Sequence, residues 1–251
     1  MILRIFASYA CWFLVITTLF AGAPAGPGPV LSLQLSFTHL MGQQPLVRNQ
    51  ATYTNASGET FTISRFRYFL SNFSLETSDG SVVTLPPAYF LVDDAIDSSK
   101  NIRLDSIPAG TYKSIRFLIG VDSIRNVSGV QSGALAMETG MFWTWNSGYI
   151  MAQIEGHSPA VNTPMQEFLF HCGGYKTKDG VLKYVTLPLP EPLTVPAARQ
   201  PQINLTANVE KWFLPDTVSF KKITVIMAPG VKARQVAGNY QHMFNITGIS
   251  N

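Results

Sequence analysis

Imidazole, thiol, thioether and paired indoles are the side chains of this sequence whose chemistry goes beyond packing. The chain has four histidines, His39, His157, His171 and His242. No two stand at the four-residue spacing that places paired ligands on one helix face, and there is no Cys-x-x-Cys. His39 and His171 each end an apolar strand just ahead of a glycine-containing loop. Strand ends at one rim of a sandwich can converge in space. Imidazole suits copper and zinc, while thiolate and thioether suit Cu(I). Cys172 follows His171, and Met141 heads an aromatic stretch. His39 and His171 are therefore the candidate metal ligands, with Met141 and Cys172 as secondary contacts. The competing reading of each histidine is a structural one, its ring N–H donating to a backbone carbonyl. His157, in a loop, and His242, on a helix, are read that way.

The aromatic stretch runs from Gly140 to Ile150 and holds Phe142, Trp143, Trp145 and Tyr149. As a strand continuing to about Glu155, it puts Trp143 and Trp145 on one face and Phe142 and Thr144 on the other. Two tryptophans side by side form either a core plug or a redox and ligand surface. Trp212 reads as core. Hydrolytic chemistry finds no support. Ser128-Gly129 and Ser132-Gly133 do not make a Gly-x-Ser-x-Gly elbow, and nothing in the spacing pairs Glu138, Glu155 or Glu167. The chain is read as a non-enzyme. Asp93, Asp94 and Asp97 could suit calcium, but they lack the glycine and terminal glutamate of a calcium loop. A solvated loop with capping aspartates is the simpler account.

Those residues need elements to carry them. The 251-residue chain is 46% hydrophobic and 13% charged, enough to bury a core and too apolar for disorder. A net charge of +3 without a basic run argues against nucleic acid as a partner. Arg4, the apolar run Ala10–Phe20 and Ala23-Pro24-Ala25 read as an export signal over residues 1–25, cut before Gly26. The apolar run is short for a membrane span, and none is read in the mature chain. Cys11 lies inside the apolar run rather than after it, which argues against a lipoprotein cysteine. Removal of the signal leaves Cys172 as the one cysteine of the mature chain, so no intrachain disulfide forms.

Residues 26–251 read as one domain. Leu31, Leu33, Leu35, Phe37 and His39 alternate with polar residues, a half-buried strand with His39 on the apolar face. Phe61–Thr77 reads as one or two strands with a bend near Ser64–Arg67, and Asp79-Gly80 as a hairpin turn. Phe168–Cys172 is a further strand, Ile203, Leu205, Ala207 and Val209 begin another that runs to Trp212, and Lys222–Met227 is the last one. Pro188–Pro201 holds too many prolines for a central strand and reads as an extended connection. Pro229–Phe244 is the one clear helix. The pattern is mainly β: a single antiparallel sandwich or barrel-like domain with one C-terminal helix.

Several segments resemble the MbnP-like copper-binding family, named for a periplasmic protein of methanobactin operons. They are Gly42–Leu46, Arg67-Tyr68-Phe69-Leu70-Ser71-Asn72, Pro108–Tyr112, Ile119–Asp122, Met141-Phe142-Trp143-Thr144-Trp145-Asn146-Ser147-Gly148-Tyr149 and Phe170-His171. The version here looks like the Bacteroidetes-type branch. The resemblance implies a periplasmic β protein that binds copper, with a di-haem cytochrome c peroxidase-like (MbnH-type) partner that oxidises a tryptophan to kynurenine. By position the modified residue is Trp143 or Trp145, and the ligands are His171 first and His39 second. An unmodified indole offers only an N–H donor, so it becomes a ligand only when oxidised. Cys172 departs from the family pattern beside His171. The alternative is a non-metal structural or interaction module whose tryptophan pair is core or a docking patch.

Overall fold

The computed structural model describes residues 31–144, 146–195 and 200–250, so the segment expected to be an export signal, Cys11 and Trp145 lie outside the described residues. Among the described residues, fifteen strands and two α-helices follow in order. The first half contains β1 (Leu31–Met41), β2 (Gln44–Pro45), β3 (Tyr53–Thr54), β4 (Thr60–Thr77), β5 (Val82–Thr84), β6 (Tyr89–Asp93), β7 (Asn101–Ile107) and β8 (Gly110–Ile119). After α1 (Ser123–Asn126) come β9 (Phe142–Thr144), β10 (Gly148–His157), β11 (Glu167–Gly173), β12 (Lys183–Val195), β13 (Gln202–Asn208) and β14 (Val225–Ile226). α2 (Val231–Tyr240) and β15 (Phe244–Ser250) close the chain.

Alternation in β1 buries Leu33, Leu35, Phe37 and His39 and turns Gln34, Ser36 and Thr38 away. β1 is central in the smaller sheet, flanked by β13, which carries β15, and by β7 and β2. The larger sheet runs β12-β8-β4-β10-β11-β14, with β3, β5 and β6 also on β4 and β9 on β10. The fold is mainly β and sandwich-like, and neither sheet closes. Pairing is antiparallel except at β1–β13 and β11–β14, which are parallel. That refines the all-antiparallel expectation: β1 and β13 are far apart in sequence, so no hairpin dictates their direction.

β4 is the spine, one strand of 18 residues. The expected bend is a register shift opposite Glu155 and Gly156, where the partners step from Arg65 to Ile63. Beyond it Phe66 and Tyr68 face the inter-sheet core, while Arg65 and Arg67 face outward. Gly156 sits at this shift because a Cβ there would lie 1.9 Å from the Thr62 carbonyl and 2.7 Å from the Phe168 ring. Gly156→Ala is expected to cost about 2–3 kcal/mol, read as a lower urea midpoint at unchanged slope.

Four element boundaries differ from the sequence reading. The strand expected from Ile203 to Trp212 ends at Asn208, where Val209–Phe213 forms a 3-10 turn. β12 runs through Pro188, Pro190 and Pro192, since it is an edge strand whose register with β8 skips from Pro188 to Leu193. The strand expected over Lys222–Met227 shrinks to β14. The helix stops at Tyr240, and Phe244 opens β15 instead. α2 buries Ala233, Val236, Ala237 and Tyr240 against β11 and Trp212, with ring centroids of Trp212 and Tyr240 4.9 Å apart.

The segment between β8 and β10 covers part of the outer face of the larger sheet. Phe69, facing outward from β4, meets Tyr149 with ring centroids 5.6 Å apart, and Phe142 meets Tyr149 at 5.0 Å. The Tyr149 hydroxyl donates to the Leu135 carbonyl at 2.8 Å. Asn126, wholly buried, donates to the carbonyls of Val121 and Asp122 and accepts from the Tyr149 N–H. This amide holds the chain where Gly148, at φ 76°, turns into β10. A Cβ at Gly148 would lie 2.2 Å from the Asn126 oxygen. The tryptophan stretch is thus a hairpin, β9 folded on β10, rather than one strand continuing to Glu155.

Candidate functional site

His39 and His171 lie on opposite faces of the larger sheet. His39 reaches across the core from β1 and packs on Phe66 and Tyr68, with ring centroids at 4.9 and 5.7 Å. Its Nδ1 lies 2.7 Å from Asp94 and its Nε2 3.0 Å from the Tyr68 hydroxyl. Burial holds the His39 ring below its ordinary pKa, against the pull of Asp94, and pushes the Tyr68 phenol well above its own. The arrangement is therefore a neutral imidazole whose Nδ1–H donates to Asp94 and whose Nε2 accepts from Tyr68. Burial would raise the Asp94 carboxyl, but hydrogen bonds from His39 and Arg48 outweigh it and hold it low. Arg48 Nε closes the chain at 2.6 Å. Both ring nitrogens of His39 are occupied, so the structure brings it to no metal position.

Asp94 is thus a partly buried ion-pair partner, not a solvated cap. Asp93 caps the Ala95 N–H, and Asp97 pairs with Lys100 at 2.7 Å. Among the described residues no group of three or more His, Cys, Asp or Glu is set to hold a metal.

His171 projects outward from β11. Register aligns Arg67 on β4, Gln153 on β10 and His171 in one row. Glu155 lies two residues along β10 on the same face. His171 Nε2 is 2.7 Å from Glu155 Oε1, and Glu155 also pairs with Arg65 at 3.4 Å. The Glu155 carboxyl sits below the usual carboxylate range, chiefly through the hydrogen bond from His171, with burial opposing. An ionised carboxylate only accepts, so Nε2 donates to it, and in the neutral ring Nδ1 then presents a lone pair. Nδ1 is buried and without a hydrogen-bond partner.

The indole of Trp143 lies beside this nitrogen's strand. Its benzene edge packs on Gly173, two residues beyond His171, where a Cβ would come within 2.5 Å of Cζ3. Its Nε1 is also buried and unpartnered. Gly173→Ala is expected to push the indole off the strand, costing about 1–3 kcal/mol and shifting the Trp143 indole N–H resonance.

Cys172 points the other way. It is wholly buried in the core, where burial pushes its thiol far up, so the structure does not bring it to His171. Met141 is buried ahead of β9, its carbonyl accepting from the Ile150 N–H. His157 is an exposed partner of Glu167 at 3.4 Å, and His242 touches Gln241 at 3.1 Å. A cavity of about 570 Å³ lined by Asn72, Tyr89, Arg116, Arg125 and Tyr184 is away from the His171 row. Sequence reading missed Gln153 and gave Arg67 no chemical role. The available signal was a glutamine inside the apolar run Tyr149–Ile154, which the structure buries to 1% exposure.

Comparison with known proteins decides the family. The MbnP family model matches residues 30–230. The chain belongs to the MbnP family. Among solved structures, MbnP from Methylosinus trichosporium is similar in fold, with a TM-score of 0.52 and 13% sequence identity over 88% of this chain and 99% of that one. No curated protein matches. In this MbnP-family chain, the outer face of β11 sets a buried, unpartnered imidazole nitrogen of His171 near the Trp143 indole. That fits a copper ligand in one respect: a metal-binding histidine ordinarily donates its other ring N–H to a carboxylate, as His171 does to Glu155.

Proposed function

We propose that this MbnP-family chain is an exported, periplasmic copper-binding protein whose site is built on His171 Nδ1 and on Trp143 after oxidation to kynurenine. The observation that carries the reading is the buried, unpartnered His171 Nδ1 with the Trp143 ring packed two residues along β11, at Gly173. A buried polar atom without a partner is costly, and a bound ion would relieve it at the imidazole. Oxidative cleavage of the indole C2–C3 bond adds two oxygen atoms, a four-electron oxidation, and hydrolysis of the resulting formamide releases formate, leaving an aryl amine and a carbonyl in place of an N–H that cannot ligate. Copper would then be held by His171 and the oxidised residue, and the chemistry is binding rather than turnover.

Oxidation of Trp143 needs a strong outside oxidant. A di-haem cytochrome c peroxidase-like partner of the MbnH type is the proposed source. The position of β9 on the outer cover of the sheet, rather than between the sheets, supports access. Export is supported by the N-terminal charge and apolar run, and no helix among the described residues is long and apolar enough to cross a membrane.

Peptide mass spectrometry across residues 139–156, on protein from its native host, tests the reading. A kynurenine mass change at Trp143 is expected. Modification at Trp145 alone would move the site. Two intact tryptophans would remove the modification and favour the docking-module reading.

A further inference from the structure

Three atoms meet at 2.5–2.8 Å on the outer face: Gln153 Nε2, Glu155 Oε1 and His171 Nε2. Their donor and acceptor roles can be assigned in turn. A guanidinium only donates. Arg67 places Nε and Nη2 on one oxygen of Gln153, at 2.8 and 2.5 Å, and Nη1 on the Thr139 carbonyl at 2.9 Å. The Gln153 oxygen therefore faces Arg67, and its NH2 group faces Glu155 and His171.

That orientation sets two neighbours in opposition over one ring nitrogen. Gln153 offers His171 Nε2 a donor, which favours the tautomer with the proton on Nδ1. Glu155 offers an anionic acceptor, which favours the proton on Nε2. Both N–H groups can point at the Glu155 oxygen, and the 2.8 Å between the two nitrogens is then the base of a triangle with the carboxylate at its apex. Charge-assisted hydrogen bonds are the stronger kind, so Glu155 prevails. We propose that Glu155 is a positioning residue that selects the Nε2–H tautomer of His171 against an amide that Arg67 has locked in the opposing orientation, and so keeps Nδ1 bare.

The consequence for copper rests on the function proposed above, whereas the tautomer does not. Removing Glu155 leaves Nε2 facing only the locked amide. The ring then takes the Nδ1–H form, and the nitrogen offered to a metal is blocked by a proton. Such outer partners of metal-bound histidines contribute about 10–100-fold to affinity. Releasing Arg67 as well frees the amide to turn, and the preference is lost.

The test is nitrogen NMR of the His171 ring in metal-free protein, at a pH where the ring is neutral, for wild type, Glu155→Ala, Glu155→Gln and Glu155→Ala with Arg67→Gln. Wild type is expected as Nε2–H and Glu155→Ala as Nδ1–H. Glu155→Gln, which keeps the size and removes the charge, shifts toward Nδ1–H, and the double variant is mixed. An Nε2–H ring in both single variants overturns the proposal, as does an Nδ1–H ring in wild type. Copper titration of the same proteins separates the two readings. A tautomer change without copper binding in wild type leaves the positioning role and removes the metal. Copper binding with no tautomer change does the reverse.

Discussion

His171→Ala is expected to weaken copper binding by at least about 100-fold, the upper end of what loss of a mere outer partner costs at such sites. The reason is specific to Nδ1. It is the nitrogen whose lone pair is left free by the Nε2–H to Glu155 hydrogen bond, and it is buried without a protein partner. Folding should change little, because the imidazole lies on the outer face and Glu155 retains Arg65 and the Gln153 amide. Competition titration with a copper chelator measures the affinity, and urea unfolding measures the stability. Equal affinities in the two proteins would remove His171 from the site.

His39→Ala should do the opposite. Copper affinity stays as in wild type, while stability falls by about 2–4 kcal/mol, from the buried hydrogen bonds left unmade and the cavity opened. The substitution strips Asp94 of one of its two partners, leaves the Tyr68 hydroxyl buried without an acceptor, and opens a cavity against Phe66. A pH dependence accompanies it. Burial lowers the His39 pKa in the folded protein, so the unfolded chain binds the proton more readily. Stability from this group is fully present above about pH 6.5, the ordinary value, and is lost as pH falls through the depressed folded value. Wild type should therefore lose stability across that window, and His39→Ala should lose less. Chemical denaturation at stepped pH checks the difference. A parallel pH profile in the two proteins would show that His39 is not buried neutral.

The contrast between the two histidines marks the limit of what strand patterning reveals. Alternation in Leu31–His39 correctly places His39 on the apolar side of β1, and that alone points to a core residue. Both histidines do end apolar stretches, yet which face of which sheet each meets depends on pairings between residues far apart in the chain. Tyr68 and Arg67 are neighbours in sequence, but one carries the His39 contact inward and the other the Gln153 row outward. The aromatic hairpin was hidden for a similar reason. Asn126, more than twenty residues upstream of Tyr149, supplies the hydrogen bond that holds the turn into β10. By contrast, Asp79-Gly80 declared its turn locally, with Gly80 at φ 94°. The family motif drew attention to Trp143 and His171, and their adjacency through Gly173 came only with the fold.

The most direct measurement is the copper content of the protein isolated from its native host without added metal, taken together with its intact mass. The account predicts one copper per chain and a mass carrying the kynurenine change. Stoichiometric absence of copper, in protein whose mass shows unmodified tryptophans, would contradict it.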